Sequence, residues 1–199
     1  MAAASFDHSF LFICTGWEGS AADMHVLRWC VEMGGFNVPD GKYYLVDSGY
    51  ANTDKFLAPY RGNRYHLSTF SNPRSRRYSN QRDLYNHRHA QLRNCVEKSF
   101  GILKKRFKIL RTAIPFPFKV QKRIVMACCI IHNFIRRNQG NDKYFNMSLA
   151  PEPADNDDDD IDPFVIVGDD ESRRGEDLRN SIASRLWIDH QNRGRLKWK

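Results

Sequence analysis

The sequence predicts an α/β fold, a mixed sheet flanked by helices, on three observations. The apolar run Tyr43-Tyr44-Leu45-Val46 is bounded by Asp40-Gly41 and Ser48-Gly49, the pattern of a short strand buried on both faces. Phe10-Leu11-Phe12-Ile13-Cys14 is a second strand-like run. Leu92, Val96, Phe100, Leu103, Phe107 and Leu110 then recur at steps of 4, 4, 3, 4 and 3, which is one face of a long helix.

Taken in order, the chain opens with small and apolar residues on either side of Asp7-His8. That arrangement reads as a β-hairpin with a tight turn. A start this close to a strand suggests that an upstream piece is absent. A loop follows, and Ser20 stands where it would cap a helix from 21 to about 33, closed by Gly34-Gly35. Its apolar stripe is Val26, Leu27 and Cys30. Asp23 falls in the first turn, either as a carboxylate favoured there by the helix dipole or as a functional group.

Asp47 ends the run at 43–46. It is either the opening residue of a turn with Ser48 and Gly49 or a carboxylate held at the rim of a sheet, facing a crevice. Between 61 and 82 the chain is irregular and basic, with Arg61, Arg64, Arg74, Arg76, Arg77 and Arg82 interleaved with Tyr65, His66, Phe70 and Tyr78. Such a mixture suits phosphate contacts with stacking on bases, or else a solvated loop.

The long helix is expected from about 84 to 110. Glu97 lies at the edge of its stripe, among Arg93, Lys104, Lys108 and Arg111. It is either an ordinary i,i+4 partner of Arg93 or a lone carboxylate in a cationic strip. After Pro115 and Pro117, residues 118–137 read as a second helix burying Val120, Ile124, Ala127, Cys128, Ile131, Phe134 and Ile135, with His132 as a packing histidine. The stretch 146–178 is acidic and proline-containing and reads as a disordered linker. The last segment, 179–199, is a basic helix or tail carrying Ile182, Leu186 and Trp187, marginal by itself.

Charge follows the same division. Residues 1–149 hold 23 Lys/Arg against 10 Asp/Glu, residues 150–177 hold 2 against 12, and the last 22 hold 6 against 1. A basic body with an acidic segment points to a polyanionic partner and to a competitor for it. Five cysteines without a CxxC pair suggest reduced thiols in an intracellular protein with no structural zinc. No apolar run has the length of a membrane span, and a signal peptide is not recognisable.

Four strings occur in one order: GWEGSAADMHVLR, GKYYLVDSGYANTDKFLAPYRG, HAQLRNCVEKSFGILKKRF and IVMACCIIHNFIRR. Together they resemble the PIF/Harbinger transposases of the plant type and the nucleases derived from them, over about residues 2–138. The resemblance implies an RNase H-like core, here incomplete because the first strand is missing, within a partial catalytic domain at 1–145. It implies a divalent metal, Mg or Mn, held by an Asp-Asp-Glu constellation. Carried over residue by residue, Asp47 and Glu97 are catalytic and metal-ligating, and Asp23 is a further metal ligand. Arg74, Arg76, Arg77, Arg93, Lys104, Lys105 and Lys108 are the expected DNA contacts.

The family's first Asp lies in a DGTH-like string, and these residues contain none. The expected function is therefore metal-dependent cleavage of DNA phosphodiesters, impaired by that loss. The alternative is a domesticated, non-catalytic nuclear partner of chromatin or transcription complexes, with another protein supplying the DNA-binding function. Both readings place the chain in the nucleus and away from membranes.

Overall fold

The computed structural model describes residues 1–18, 20–65, 67–70, 78–112, 115–140, 142–146 and 167–196. Small antiparallel and parallel sheets are flanked by helices, in two compact units. One unit comprises Met1–Phe36 with Asn94–Pro153, the other Asn37–Arg93 with Ala154–Lys199.

In the first unit, β1 (Ala2–Ala4) and β2 (Phe10–Ile13) form the expected antiparallel hairpin, pairing Ala3 with Phe12. The turn is held from several sides. The Asp7 carboxylate accepts from the Ser5 hydroxyl and from the Ser9 N–H. The Ser5 hydroxyl is the main reason that Asp7 stays below the usual carboxylate range. His8 sits at φ +67°, an uncommon conformation for a side-chain-bearing residue. Its carbonyl accepts from His132 Nε2 (2.9 Å), and Arg136 donates to the Asp7 carbonyl (2.8 and 3.0 Å).

Helix α1 (Asp23–Glu32) buries Met24, Val26, Leu27 and Cys30, as its periodicity requires. Its N-cap is Ala22, and no side chain caps it, so the capping role expected of Ser20 is not realised. Beyond the helix Gly35 takes φ +72°, a conformation that favours glycine.

Helix α2 (Gln81–Arg106) runs through both units. Its later half packs Phe100 and Leu103 with Phe107 and Leu110 against Phe10, Cys128 and Cys129. Leu92, expected in this stripe, is exposed, because it falls in the earlier half of the helix, where other faces are covered.

Helix α3 (Phe118–Gln139) covers the hairpin. It carries two apolar stripes, and the one that packs is Cys128, Cys129 and His132 with Ile124 and Val125. Val120, Ile131 and Phe134 from the other stripe are exposed, correcting the expected buried face. The choice is made by polar groups on the packing side. Asn133 clamps the backbone of Phe10 with both ends of its amide (2.8 and 2.8 Å), and His132 satisfies the His8 carbonyl. His132 is the packing histidine the sequence suggested, fully buried, with Arg106 donating to its Nδ1 (2.7 Å). The short helix α4 (Lys143–Asn146) follows Asp142, which pairs with Arg106 (2.5 Å).

In the second unit, β3 (Tyr44–Leu45) pairs in parallel with β4 (Phe56–Leu57), and the Val46 N–H extends the ladder to the Leu57 carbonyl (3.0 Å). The strand expected over 43–46 is thus shorter, and its partner β4 was not foreseen. Two residues carry no periodicity to read.

Helix α2 starts at Gln81, before the expected 84. Asn80 accepts from the Asp83 N–H (3.0 Å), while the Asp83 carboxylate accepts from the Ser79 N–H (3.0 Å), much as in a capping box. Asn86 clamps the backbone of Tyr60 (2.8 and 2.9 Å), as Asn133 clamps Phe10 in the other unit.

Helix α5 (Asp169–Leu196) begins ten residues before 179, so 169–178 are helix and not linker. Asp169, Asp170 and Glu171 occupy its first turn, where the helix dipole favours negative charge. Gly175 lies so close to Thr53 that a Cβ would stand 2.5 Å from its backbone. Ala183 packs on Tyr60 and Tyr85, with Ile182 and Leu186 beside them. Residues 147–166, most of the expected linker, lie outside the described residues.

A single mixed sheet is not formed among the described residues. The antiparallel pair lies in one unit and the parallel pair in the other, and no described strand joins them.

Candidate active site

Asp47 follows the end of β3. Its Oδ1 accepts from the Ser48 N–H (2.9 Å), and Tyr50 N–H bonds back to its carbonyl (3.2 Å). It therefore opens a turn, and it also stands at the rim of a strand pair. Its Oδ2 is paired with the Arg93 guanidinium. The Asp47 side chain remains 38% exposed and that of Arg93 is 18% exposed. The pairing joins β3 to α2 across 46 residues of sequence.

His89 lies one turn before Arg93 on α2 and is buried. Its Nε2 donates to the Leu57 carbonyl (2.9 Å), and its Nδ1 has no hydrogen-bond partner among the described residues. Burial pushes its pKa down to about 4 against the pull of that carbonyl, so the imidazole is neutral near pH 7. The rings of Tyr65 and Tyr85 stand beside it, each at 5.7 Å. The histidine was not singled out from sequence. Its signal was spacing, four residues before Arg93 and eight before Glu97, on one side of a helix.

Glu97 is exposed on α2, in the part of the helix that belongs to the first unit. It makes no ion pair with another described residue. The pairing with Arg93 that helical spacing allowed is not formed, because Arg93 is taken by Asp47. Asp23 is exposed in the first turn of α1, also in the first unit.

Three carboxylates have the oxygen chemistry that suits Mg²⁺ or Mn²⁺. Among the described residues no three His, Cys, Asp or Glu side chains lie together closely enough to hold a metal ion. At Asp47 the cation in contact is a guanidinium.

The expected DNA contacts divide into three groups. Arg74, Arg76 and Arg77 lie outside the described residues. Arg93 faces Asp47. Lys104 and Lys108 are exposed and Lys105 is half-buried, at the end of α2 and just beyond it. None of these three lysines is in an ion pair with a described residue. Lys98 and Arg111 are exposed on the same stretch, which leaves a run of cations open to a phosphate backbone.

Two aromatic members of the basic stretch, Phe70 and Tyr78, serve the fold. Phe70 is buried and stacks on His87 (4.2 Å), and the Tyr78 hydroxyl bonds His87 Nδ1 (2.6 Å). Arg64 lies over Phe70 and grips Asp83.

The family model described as DDE superfamily endonuclease, of the PIF/Harbinger type, matches residues 1–133. The chain belongs to the DDE superfamily endonucleases. The match spans Asp23, Asp47, Glu97 and the lysines at the end of α2, and the helix α5 of this DDE-family chain lies beyond it. No curated protein and no solved structure matches the chain. Among its described residues no helix is long and apolar enough to cross a membrane.

Proposed function

We propose that this DDE-family chain is a nuclear DNA-binding protein with a weak, metal-dependent phosphodiester cleavage site on an RNase H-like core. Asp47 and Glu97 are the catalytic ligands of a Mg²⁺ or Mn²⁺ cofactor, with Asp23 as a supporting ligand. The observation that carries this reading is the family match together with the place of Asp47. It stands beyond the end of a strand and is held to α2, the helix that bears Glu97. Lys104, Lys105 and Lys108 with Arg74, Arg76 and Arg77 contact phosphates without reading bases. Cleavage is weak because Asp47 already has a cation, the Arg93 guanidinium.

That same ion pair favours a second reading, a binding protein without cleavage, acting beside a partner in chromatin. Plasmid nicking separates the two. Supercoiled DNA with Mg²⁺ or Mn²⁺ is expected to show slow nicking by the chain, lost in Asp47→Asn and in Glu97→Gln. Nicking unchanged by both substitutions, or absent at any metal concentration, would leave only the binding reading. On either reading DNA affinity falls steeply with salt, with a log–log slope of about −5 for about 6 phosphate contacts.

A further inference from the structure

We propose that the exposed face of α3 is a docking surface for an acidic amphipathic helix of another protein. This surface shares no residue with the proposed cleavage site, so failure of one leaves the other standing.

The face is set by one helix. α3 buries Cys128, Cys129 and His132 on one side, and Asn133 fixes it to β2 through both ends of its amide. The rotation of the helix about its own axis is thereby settled. Val120, Ala127, Ile131 and Phe134 follow one another at steps of 7, 4 and 3 and fall on one stripe turned away from that contact. All four are exposed, and exposed Met126 and Ile130 widen the stripe. Ile130 is 61% exposed and Phe134 67% exposed. Single apolar residues scattered on a surface need no explanation, whereas neighbours along one helix face make a patch of the kind that partners cover.

The charges on the helix give the chemistry of what covers it. α3 has five cations, Lys119, Lys122, Arg123, Arg136 and Arg137, and no Asp or Glu. Arg136 is used inside the unit, donating to the Asp7 and Gly140 carbonyls, and the Lys122 ammonium lies over the Phe118 ring. Lys119, Arg123 and Arg137 are exposed, and none is in an ion pair with a described residue. By helical angle they border the apolar stripe near both its ends. Lys119 and Arg123 stand in the first two turns, where the helix dipole disfavours positive charge. Carboxylates from a partner would offset that placement and would match the guanidinium donors.

A helix fits this surface. Its side chains pack into the grooves of α3, with apolar residues at i, i+3, i+4 and i+7 on the stripe and Glu on the flank meeting the cations. A second copy of this chain would set cations against cations, with no carboxylate in either α3. A bilayer would have to take up Arg123, which lies within the stripe by angle, and a charge there is expensive. A DNA backbone supplies charge but no apolar surface for Ile130 and Phe134.

Two fluorescent helical peptides with the same leucine stripe, one flanked by Glu and one by Lys, give the test when titrated with the full chain and followed by anisotropy. The Glu peptide should bind about tenfold more tightly than the Lys peptide. Phe134→Ser should weaken the Glu peptide by about tenfold or more, as loss of an aromatic anchor does. Arg123→Glu combined with Arg137→Glu should reverse the preference between the peptides, which loss of structure cannot do. These side chains are exposed, so the unfolding midpoint should stay in place.

Equal affinity for the two peptides, or affinity untouched by Phe134→Ser, would overturn the proposal. So would dimerisation in sedimentation that Phe134→Ser abolishes, which assigns the face to a second copy. Binding to phosphatidylserine vesicles that needs Phe134, without binding of the Glu peptide, would overturn it in favour of a lipid surface. If a variant does not fold, the isoleucine methyl signals of the unaltered chain decide. Saturation with the Glu peptide should shift those of Ile130 and Ile131 and leave that of buried Ile102 in place. Unmoved Ile130 and Ile131 signals overturn it.

Discussion

Two Asp–Arg pairs in the second unit look alike in sequence and differ in what they can do. Asp83 is 4% exposed and is gripped by Arg64 through two nitrogens, with the Ser79 N–H as a further donor. Burial alone would push its carboxyl up, but those donors outweigh it and hold it below the usual range. Asp47 has one guanidinium nitrogen, one backbone N–H and an open side. The first pair is committed to starting α2 and closing the loop before it. The second leaves its carboxylate partly open to solvent. A carboxylate's enclosure, more than the presence of an arginine beside it, separates a structural acid from one available to chemistry.

The largest expected break in this comparison is in stability. Asp83→Ala leaves Arg64 and the Ser79 N–H without their acceptor in a covered site and should cost about 3 kcal/mol. Asp47→Ala, at a solvent-open pair, should cost under about 1 kcal/mol. Urea denaturation measures both, and equal losses would erase the distinction.

Acid sharpens it. His89 is held neutral by burial with a folded pKa of about 4, below the ordinary histidine value. The unfolded chain therefore takes up that proton first as pH falls. Stability should be full above about pH 6.5 and decline toward about pH 4, by up to about 3 kcal/mol from this residue. Burial lowers His8 and His132 in the same direction. The Asp83 contribution has a separate window. It is present above the carboxylate's unfolded value and is lost only as pH drops through its lower folded value. Equilibrium unfolding across pH should show the histidine decline first, and His89→Gln should flatten part of it while leaving the Asp83 step in place.

Local signals in the sequence were sufficient for the hairpin, α1, most of α2 and the extent of α3. Each is set by neighbours within a few residues, such as Asp7-His8 between apolar flanks or the steps from Phe100 to Leu110. What was not legible depends on contacts far along the chain. Which stripe of α3 packs is decided by Asn133 and His132 meeting β2 and the hairpin turn. The start of α5 is hidden in an acidic stretch whose composition reads as linker. Its charges suit a helix N-terminus, and Gly175 permits the close approach to Thr53. At the site, the position of Asp47 after a strand was readable, and its partner was not. Helical spacing offered Arg93 to Glu97, while the fold gives it to Asp47. Arg64 was grouped with surface cations for the same reason, since Asp83 lies 19 residues away.

The most direct test of the difference between the two aspartates is paramagnetic broadening of backbone amide signals by trace Mn²⁺ in the full chain. The expected result is loss of the Ser48 and Gly49 amide signals at manganese levels that leave Asp83 and Leu84 unchanged, with the broadening removed by Asp47→Asn. Broadening at Asp83 equal to that at Ser48, or none at Ser48 at any manganese level, would contradict it.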